Sequence, residues 1–340
     1  MSRIWRSREL LVFLLLIVLL LVVGLINPNF WQTRSLMHIL NSSLILILVS
    51  IGEMFVILTR GIDVSVGAIL GLSAVILGVA LNAGVALPLA VLLALVVSVL
   101  AGMVNAVGVT FLRVPPIIMT LGTLGVYRGL MLIITGGSWI ETIPTNIKFF
   151  ANWHILGIRF FIWVTLIIVI LTSLALRKFK KARYFYAVGD NEEGARLMDI
   201  PVRKTLFVAY TLAGFFAGIA AIIFVAQIGF VPMQAGNGQE LRAIAADVLG
   251  GVNLAGGVGT PLSALIGAIF LTAVDSALVF LKVPGYWNNA VGGAILLAAV
   301  YLDYRVRQAV ATQQRQARAA VRQENNHLKL SPGATEKEQA

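Results

Sequence analysis

The sequence predicts an all-α protein, a polytopic transmembrane helical bundle of about ten spans. Three observations predict it. Of 340 residues, 59% are hydrophobic and only 12% are charged, whereas a soluble chain carries about a quarter charged residues to solvate its surface. The apolar residues arrive in long blocks, and a helix needs about 20 mostly apolar residues to cross the hydrocarbon core. The blocks are continuous, without the period-two alternation of a barrel strand. Only helices or closed barrels satisfy every backbone polar group in lipid, so these spans are helical.

The first block covers residues 10–26 and is preceded by Arg3, Arg6 and Arg8. That basic start resembles a signal peptide, but the run is long for one, and Ile26-Asn27-Pro28 offers no small-x-small cleavage site. It reads as an uncleaved first helix. Further spans are expected at 40–58, 64–80, 85–111, 117–135, 160–176, 206–225, 243–254, 261–281 and 287–302. Two of these are awkward. The block at 64–80 follows its predecessor after a few residues, and 243–254 is too short to cross unaided. Short or broken helices are therefore expected around 60–67 and 236–261.

Charge placement tests this count, because cytoplasmic loops carry an excess of Lys and Arg. Ten spans with both ends inside put Arg60, Arg113, three arginines of the first segment, eight basic residues between 177 and 204, and seven of the tail on one side. The other side holds only Arg34, Lys148, Arg159 and Lys282. A different count would flip half of the loops and spoil the bias. The expected organisation is thus N-in and C-in, with a membrane domain over 1–304 and a basic cytoplasmic tail over 305–340. The tail cannot bury an apolar core, so disorder near the anionic leaflet is expected there.

Several function classes drop out. The chain has no cysteine, which excludes disulfides, thiolate metal sites and Cys nucleophiles. His38, His154 and His327 are scattered without metal-ligand spacing. No P-loop, GxGxxG, HExxH or nucleophile elbow occurs. No catalytic, cofactor or metal site is expected. The net charge of +11 is a matter of topology, since no basic-aromatic surface or globular domain accompanies it to bind nucleic acid.

Charged residues inside spans are costly and usually face a cavity or a partner. Glu53, Asp63, Arg128, Glu240, Asp247 and Asp275 qualify, together with Ser65 beside the 60–67 break. They read either as a polar lining or proton relay, or as helix-end charges and internal ion pairs. Glycine is the second signal. Gly67/Gly71, Gly125/Gly129 and Gly214/Gly218 are small-residue pairs that let membrane helices approach closely. Gly250, Gly251, Gly256, Gly257 and Gly259 instead flank the short 243–254 block and read as hinges of a re-entrant element.

Four stretches carry a resemblance to a known family. Leu58-Thr59-Arg60-Gly61-Ile62-Asp63-Val64-Ser65-Val66-Gly67 is one, and PIIMTLGTLGVYRG from Pro116 to Gly129 is the second. Tyr186-Ala187-Val188-Gly189-Asp190-Asn191-Glu192 with Ala195 is the third. The fourth joins Gly238-Gln239-Glu240-Leu241-Arg242 to the glycines at 250–259. In this order they resemble the permeases of bacterial sugar-type ABC importers. The segments 136–141, 226–232 and 284–288 are most similar to the branch that imports autoinducer-2. Arg60 and Gly194 depart from the pattern of the ribose-type members.

The resemblance implies an inner-membrane permease that is not itself an enzyme. A periplasmic binding protein would deliver a small sugar-like ligand, and a second permease, a distinct homologue, would complete the path. A cytoplasmic ATP-binding subunit would drive the cycle, docked on a coupling segment comprising Asp190, Asn191, Glu192, Ala195 and Arg196. The competing class is a proton- or sodium-coupled secondary transporter of a small polar solute, with Asp247 and Asp275 as its ion relay.

Overall fold

A computed structural model of the chain describes residues 2–285 and, beyond these, 287, 288, 290–295, 297, 298, 300, 301 and 305. The first elements are α1 (Ser2–Ile26), α2 (Thr33–Leu58), α3 (Val66–Asn82), α4 (Leu87–Thr110) and α5 (Pro116–Thr135). A short α6 (Thr145–Asn152) and a hairpin of β1 (His154–Ile155) with β2 (Ile158–Arg159) follow. Then come α7 (Phe160–Lys178), α8 (Tyr184–Asp190), α9 (Glu192–Leu197), α10 (Val202–Ile228), α11 (Gln239–Gly250) and α12 (Pro261–Phe280).

The chain is thus helical, as its composition requires. Among the described residues seven helices are long and apolar enough to cross a membrane: α1, α2, α4, α5, α7, α10 and α12. The two awkward blocks are indeed short helices. α3 has 17 residues and α11 has 12. At about 1.5 Å per residue α11 reaches only about 18 Å, against about 30 Å of hydrocarbon. Local chemistry sets several ends. Pro116 and Pro261 stand at first helical positions, where a missing N–H costs nothing. The Thr260 hydroxyl caps α12 by accepting from Ser263 N at 3.1 Å. Left-handed Gly136 and Gly229 close α5 and α10.

α10 is the central helix, packed on α2, α3 and α4. It crosses α4 antiparallel where two glycines meet: a Cβ on Gly214 would overlap the Ser98 carbonyl and come within 2.9 Å of Gly102 Cα. Gly67 and Gly71 are also buried in close approaches, to the 235–240 segment. Gly125 and Gly129 are not, since a Cβ on either would meet nothing within 4 Å. Their spacing alone could not distinguish a face packed within the chain from an outward one.

α10 also defines two ends of the bundle. Its first residue, Val202, packs with Val188 and Ala195 of the α8–α9 segment. At its far end Gly229 lies against Lys148 of α6. The sequence showed no element between α5 and α7, because α6 is a short amphipathic helix amid polar residues and the strands have two residues each. Phe149 and Phe150 of α6, Trp153 just after it and Phe160 at the start of α7 form a ring cluster. Such rings suit a membrane–water interface.

The described residues up to 293 form one compact unit, and those from 294 onward belong to a second. The expected tenth span, 287–302, falls across this division and partly outside the described residues; those of it that are described are helical. Apart from Arg305, the expected tail lies outside the described residues.

Candidate functional site

Three interrupted segments of the bundle hold most of the residues expected to carry its function, among them the fully buried carboxyl groups of Asp63 and Asp247. The first is the break between α2 and α3. Its residues 59–65 leave helical geometry, and Asp63 and Ser65 are fully buried. Asp63 lies just before the start of α3, and among the described residues it joins no ion pair. Its Oδ1 accepts from Ser65 N at 2.9 Å and from the Ser65 hydroxyl at 2.6 Å, and Asn105 Nδ2 donates to Oδ2 at 3.2 Å. Asp63 N donates in turn to Glu53 Oε1 at 2.9 Å. Asn105 Oδ1 accepts from the Thr123 hydroxyl at 2.6 Å. One chain of hydrogen bonds therefore joins α2, the break, α4 and α5. Asn105 was not singled out from the sequence; a lone amide within an apolar block was its available signal.

The second segment is α11 with its two flanking loops. Arg128 of α5 donates from Nη1 to the Ala235 carbonyl at 2.5 Å, on the loop entering α11. Glu240, in the first turn of α11, accepts from Gly238 N at 3.2 Å through Oε1. The same loop is fixed at its start. Val231 and Ile140 exchange backbone hydrogen bonds at 2.9 and 3.0 Å, and the Trp139 and Phe230 rings stack at 5.7 Å. Asp247, deeper in α11, is 0% exposed, and neither carboxyl oxygen has a hydrogen-bond partner among the described residues. Asp275 of α12 pairs with Arg242 of α11. That pair lines a cavity of about 230 Å³ with His38, Ser42, Gln239 and Ser276.

The expected hinge glycines sit after α11. Gly251 closes the helix at φ 108°, and Gly256 and Gly257 have φ 83° and 73°, values open mainly to glycine. Gly250 packs too tightly on the Ser263 carbonyl to accept a Cβ. Gly259 offers its carbonyl to the Tyr186 hydroxyl at 2.9 Å. Burial pushes that hydroxyl up to about 12; Arg177 lowers it and Glu9 raises it by smaller amounts. Tyr186 is accordingly a proton donor throughout the physiological range.

The third segment is α8–α9, where the coupling residues were expected. Asn191 interrupts the helix and caps α9, its side chain accepting from Gly194 N at 3.0 Å. Glu192 and Arg196 pair one turn apart on the exposed face. Ala195 is buried and anchors α9 to Val188 and Val202. Asp190 ends α8, and its backbone lies against Gly257. The structure thus brings Asp190, one of the expected coupling residues, against Gly257, one of the expected hinge glycines, although 67 positions separate them in sequence. Asp63 and Ser65 belong to a different cluster from Asp275. Among the described residues no group of three or more His, Cys, Asp or Glu side chains is arranged to hold a metal ion.

A family model described as "Branched-chain amino acid transport system / permease component" matches residues 35–300. The chain is 45% identical over 315 residues to the autoinducer 2 import system permease protein LsrC of Enterobacter sp. (strain 638), covering 93% of this chain and 92% of that one. It is 44% identical over 317 residues to the protein of that name in Yersinia pestis (strain Pestoides F), with 93% and 90% covered. To that of Yersinia enterocolitica it is 42% identical over 347 residues, with 98% and 96% covered. No solved structure matches the chain.

Proposed function

The chain belongs to the permease-component family of branched-chain amino acid transport systems, and from that premise we propose that it is the inner-membrane permease of an ATP-driven importer of autoinducer-2. The observation that carries this reading is the full-length likeness to permeases named for that import. The likeness runs through the segments that the fold brings together at α8–α9, the 59–65 break and α11.

Membership implies an ATP-binding subunit and a substrate-binding protein as partners. In our reading the ATP-binding subunit docks on the exposed face of α9 in the cytoplasm and performs the hydrolysis. A second permease, a distinct homologue, completes the path. The path follows the polar face of α11 and α12 where Arg242, Asp275, Gln239 and His38 meet. A polar face at membrane depth needs water or protein against it. Asp63, Ser65, Arg128 and Glu240 support this face by holding the two breaks, and Asp247 lies behind it. α11 can rock because its ends are glycine loops rather than continuous helix.

The test uses proteoliposomes holding this chain, a second permease and the ATP-binding subunit, supplied with ligand-loaded binding protein. Labelled autoinducer-2 is expected to enter only with ATP, and entry is expected to survive collapse of the proton and sodium gradients. Uptake by this chain alone, driven by an ion gradient, would establish the secondary transporter instead. Asp190→Lys combined with Arg196→Glu reverses the charge of the docking face without touching a span. Membrane insertion is expected to be unchanged and uptake per ATP hydrolysed to drop at least tenfold. Uptake at the wild-type level would remove α9 from the coupling role.

A further inference from the structure

Arg60 stands where three chain segments meet. It follows the last turn of α2 and takes the left-handed conformation, φ 66°, which a glycine would adopt without steric cost. Among the described residues its guanidinium donates to three backbone carbonyls. Nε donates to Gly189 O at 2.7 Å and to Ala255 O at 2.9 Å, and Nη2 to Asp190 O at 2.6 Å. Gly189 and Asp190 are the last residues of α8, so two of these acceptors are carbonyls that the helix itself leaves unpaired. The third lies in the glycine loop between α11 and α12. One planar fork therefore caps α8 and grips that loop at once.

The surrounding backbone is shaped to this contact. A Cβ on Gly256 would lie 2.5 Å from Arg60 Cγ and 2.8 Å from Gly189 O. A Cβ on Gly189 would overlap the Leu58 carbonyl, which also accepts from Gly257 N at 3.0 Å. The same two segments meet again through the Tyr186 hydroxyl on Gly259 O. α9 itself touches the membrane helices mainly through Ala195 at the start of α10. The contacts from α8 to the end of α2 and to the 251–260 loop are thus its polar connection to the hinged half of the bundle.

We propose that Arg60 is the positioning residue that locks the α8–α9 segment to the α11–α12 glycine loop, so that the two move as one body when the ATP-binding subunit pulls on α9. This rests on the importer reading above. Lysine keeps the positive charge but not the fork, because a single ammonium on a flexible stem cannot hold three carbonyls in fixed directions. Charge and fork are therefore separable by mutation.

The experiment compares the wild type with Arg60→Ala and Arg60→Lys in the assembled complex. In both variants the ATP-binding subunit should still co-purify and hydrolyse ATP within about twofold of the wild-type rate, while autoinducer-2 delivered per ATP falls at least tenfold. The chain has no native cysteine, so Glu193→Cys and Leu254→Cys can carry spin labels at unique positions. Their separation should stay single-valued through the ATP cycle with Arg60 present, and broaden in both variants. Wild-type delivery per ATP or an unchanged label distance in Arg60→Ala would overturn the proposal. So would full rescue by lysine, which would assign Arg60 to charge alone. Absence of any ATP-dependent uptake by the wild type would instead defeat the importer reading, so the two failures are distinguishable.

Discussion

Replacing Asp63 by alanine is expected to be among the most damaging single changes in the chain, although the residue touches no partner subunit in our reading. The carboxylate receives Ser65 N, the Ser65 hydroxyl and Asn105 Nδ2 at a fully buried site. Alanine leaves the first two donors without an acceptor. A buried donor left unsatisfied costs about 1–3 kcal/mol, and in a membrane domain no bulk water can enter cheaply to replace it. A loss of about 3 kcal/mol or more is expected, read as a lower melting midpoint of the detergent-purified permease and loss of uptake. Asp63→Asn should fall between alanine and the wild type. Its carbonyl can still accept from Ser65, while its amide then faces the Asn105 amide. Equal melting of wild type and Asp63→Ala would show that the chain of bonds from Glu53 to Thr123 does not hold the break.

The second large effect is expected at the α4–α10 crossing. Gly214→Ala adds one methyl group where the Ser98 carbonyl and Gly102 Cα already occupy the space. Backbone is the obstacle, so no side-chain rotamer can relieve it and the two helices must separate. Overpacking of this kind costs about 1–3 kcal/mol, and the upper end is expected because α10 also packs on α2 and α3. Gly122→Ala provides the contrast: nothing lies within 4 Å of a Cβ there, and the purified chain is expected to melt as the wild type does. If the two alanine variants melted alike, close approach at Gly214 and Gly102 would not be what seats α10.

Hydropathy located the helices to within a few residues over most of the chain; it marked the block of α11 as too short to cross and that of α3 as awkwardly close to its predecessor. α6 and the hairpin escaped because neither is long enough to impose a period. The candidate site was legible only in part. Asp63, Arg128, Glu240, Asp247 and Asp275 stood out because charge inside an apolar block is conspicuous. Which of them meet was not legible. Arg242 finds Asp275 across 33 positions and Asn105 finds Asp63 across 42. Arg60 looked like a loop charge that helps to set topology. Its grip on Gly189, Asp190 and Ala255 spans up to 195 positions.

The sequence by itself determined that this protein lives in the membrane as a helical bundle, because transfer of apolar surface and satisfaction of backbone polar groups depend on composition and local pattern. It also determined the family, through four ordered motifs. It took the folded chain to place the glycine loop after α11, the end of α8 and the end of α2 at one junction. Hydrogen bonds and close backbone approaches act over about 3 Å, and only the folded chain brings residues so far apart in sequence within that reach.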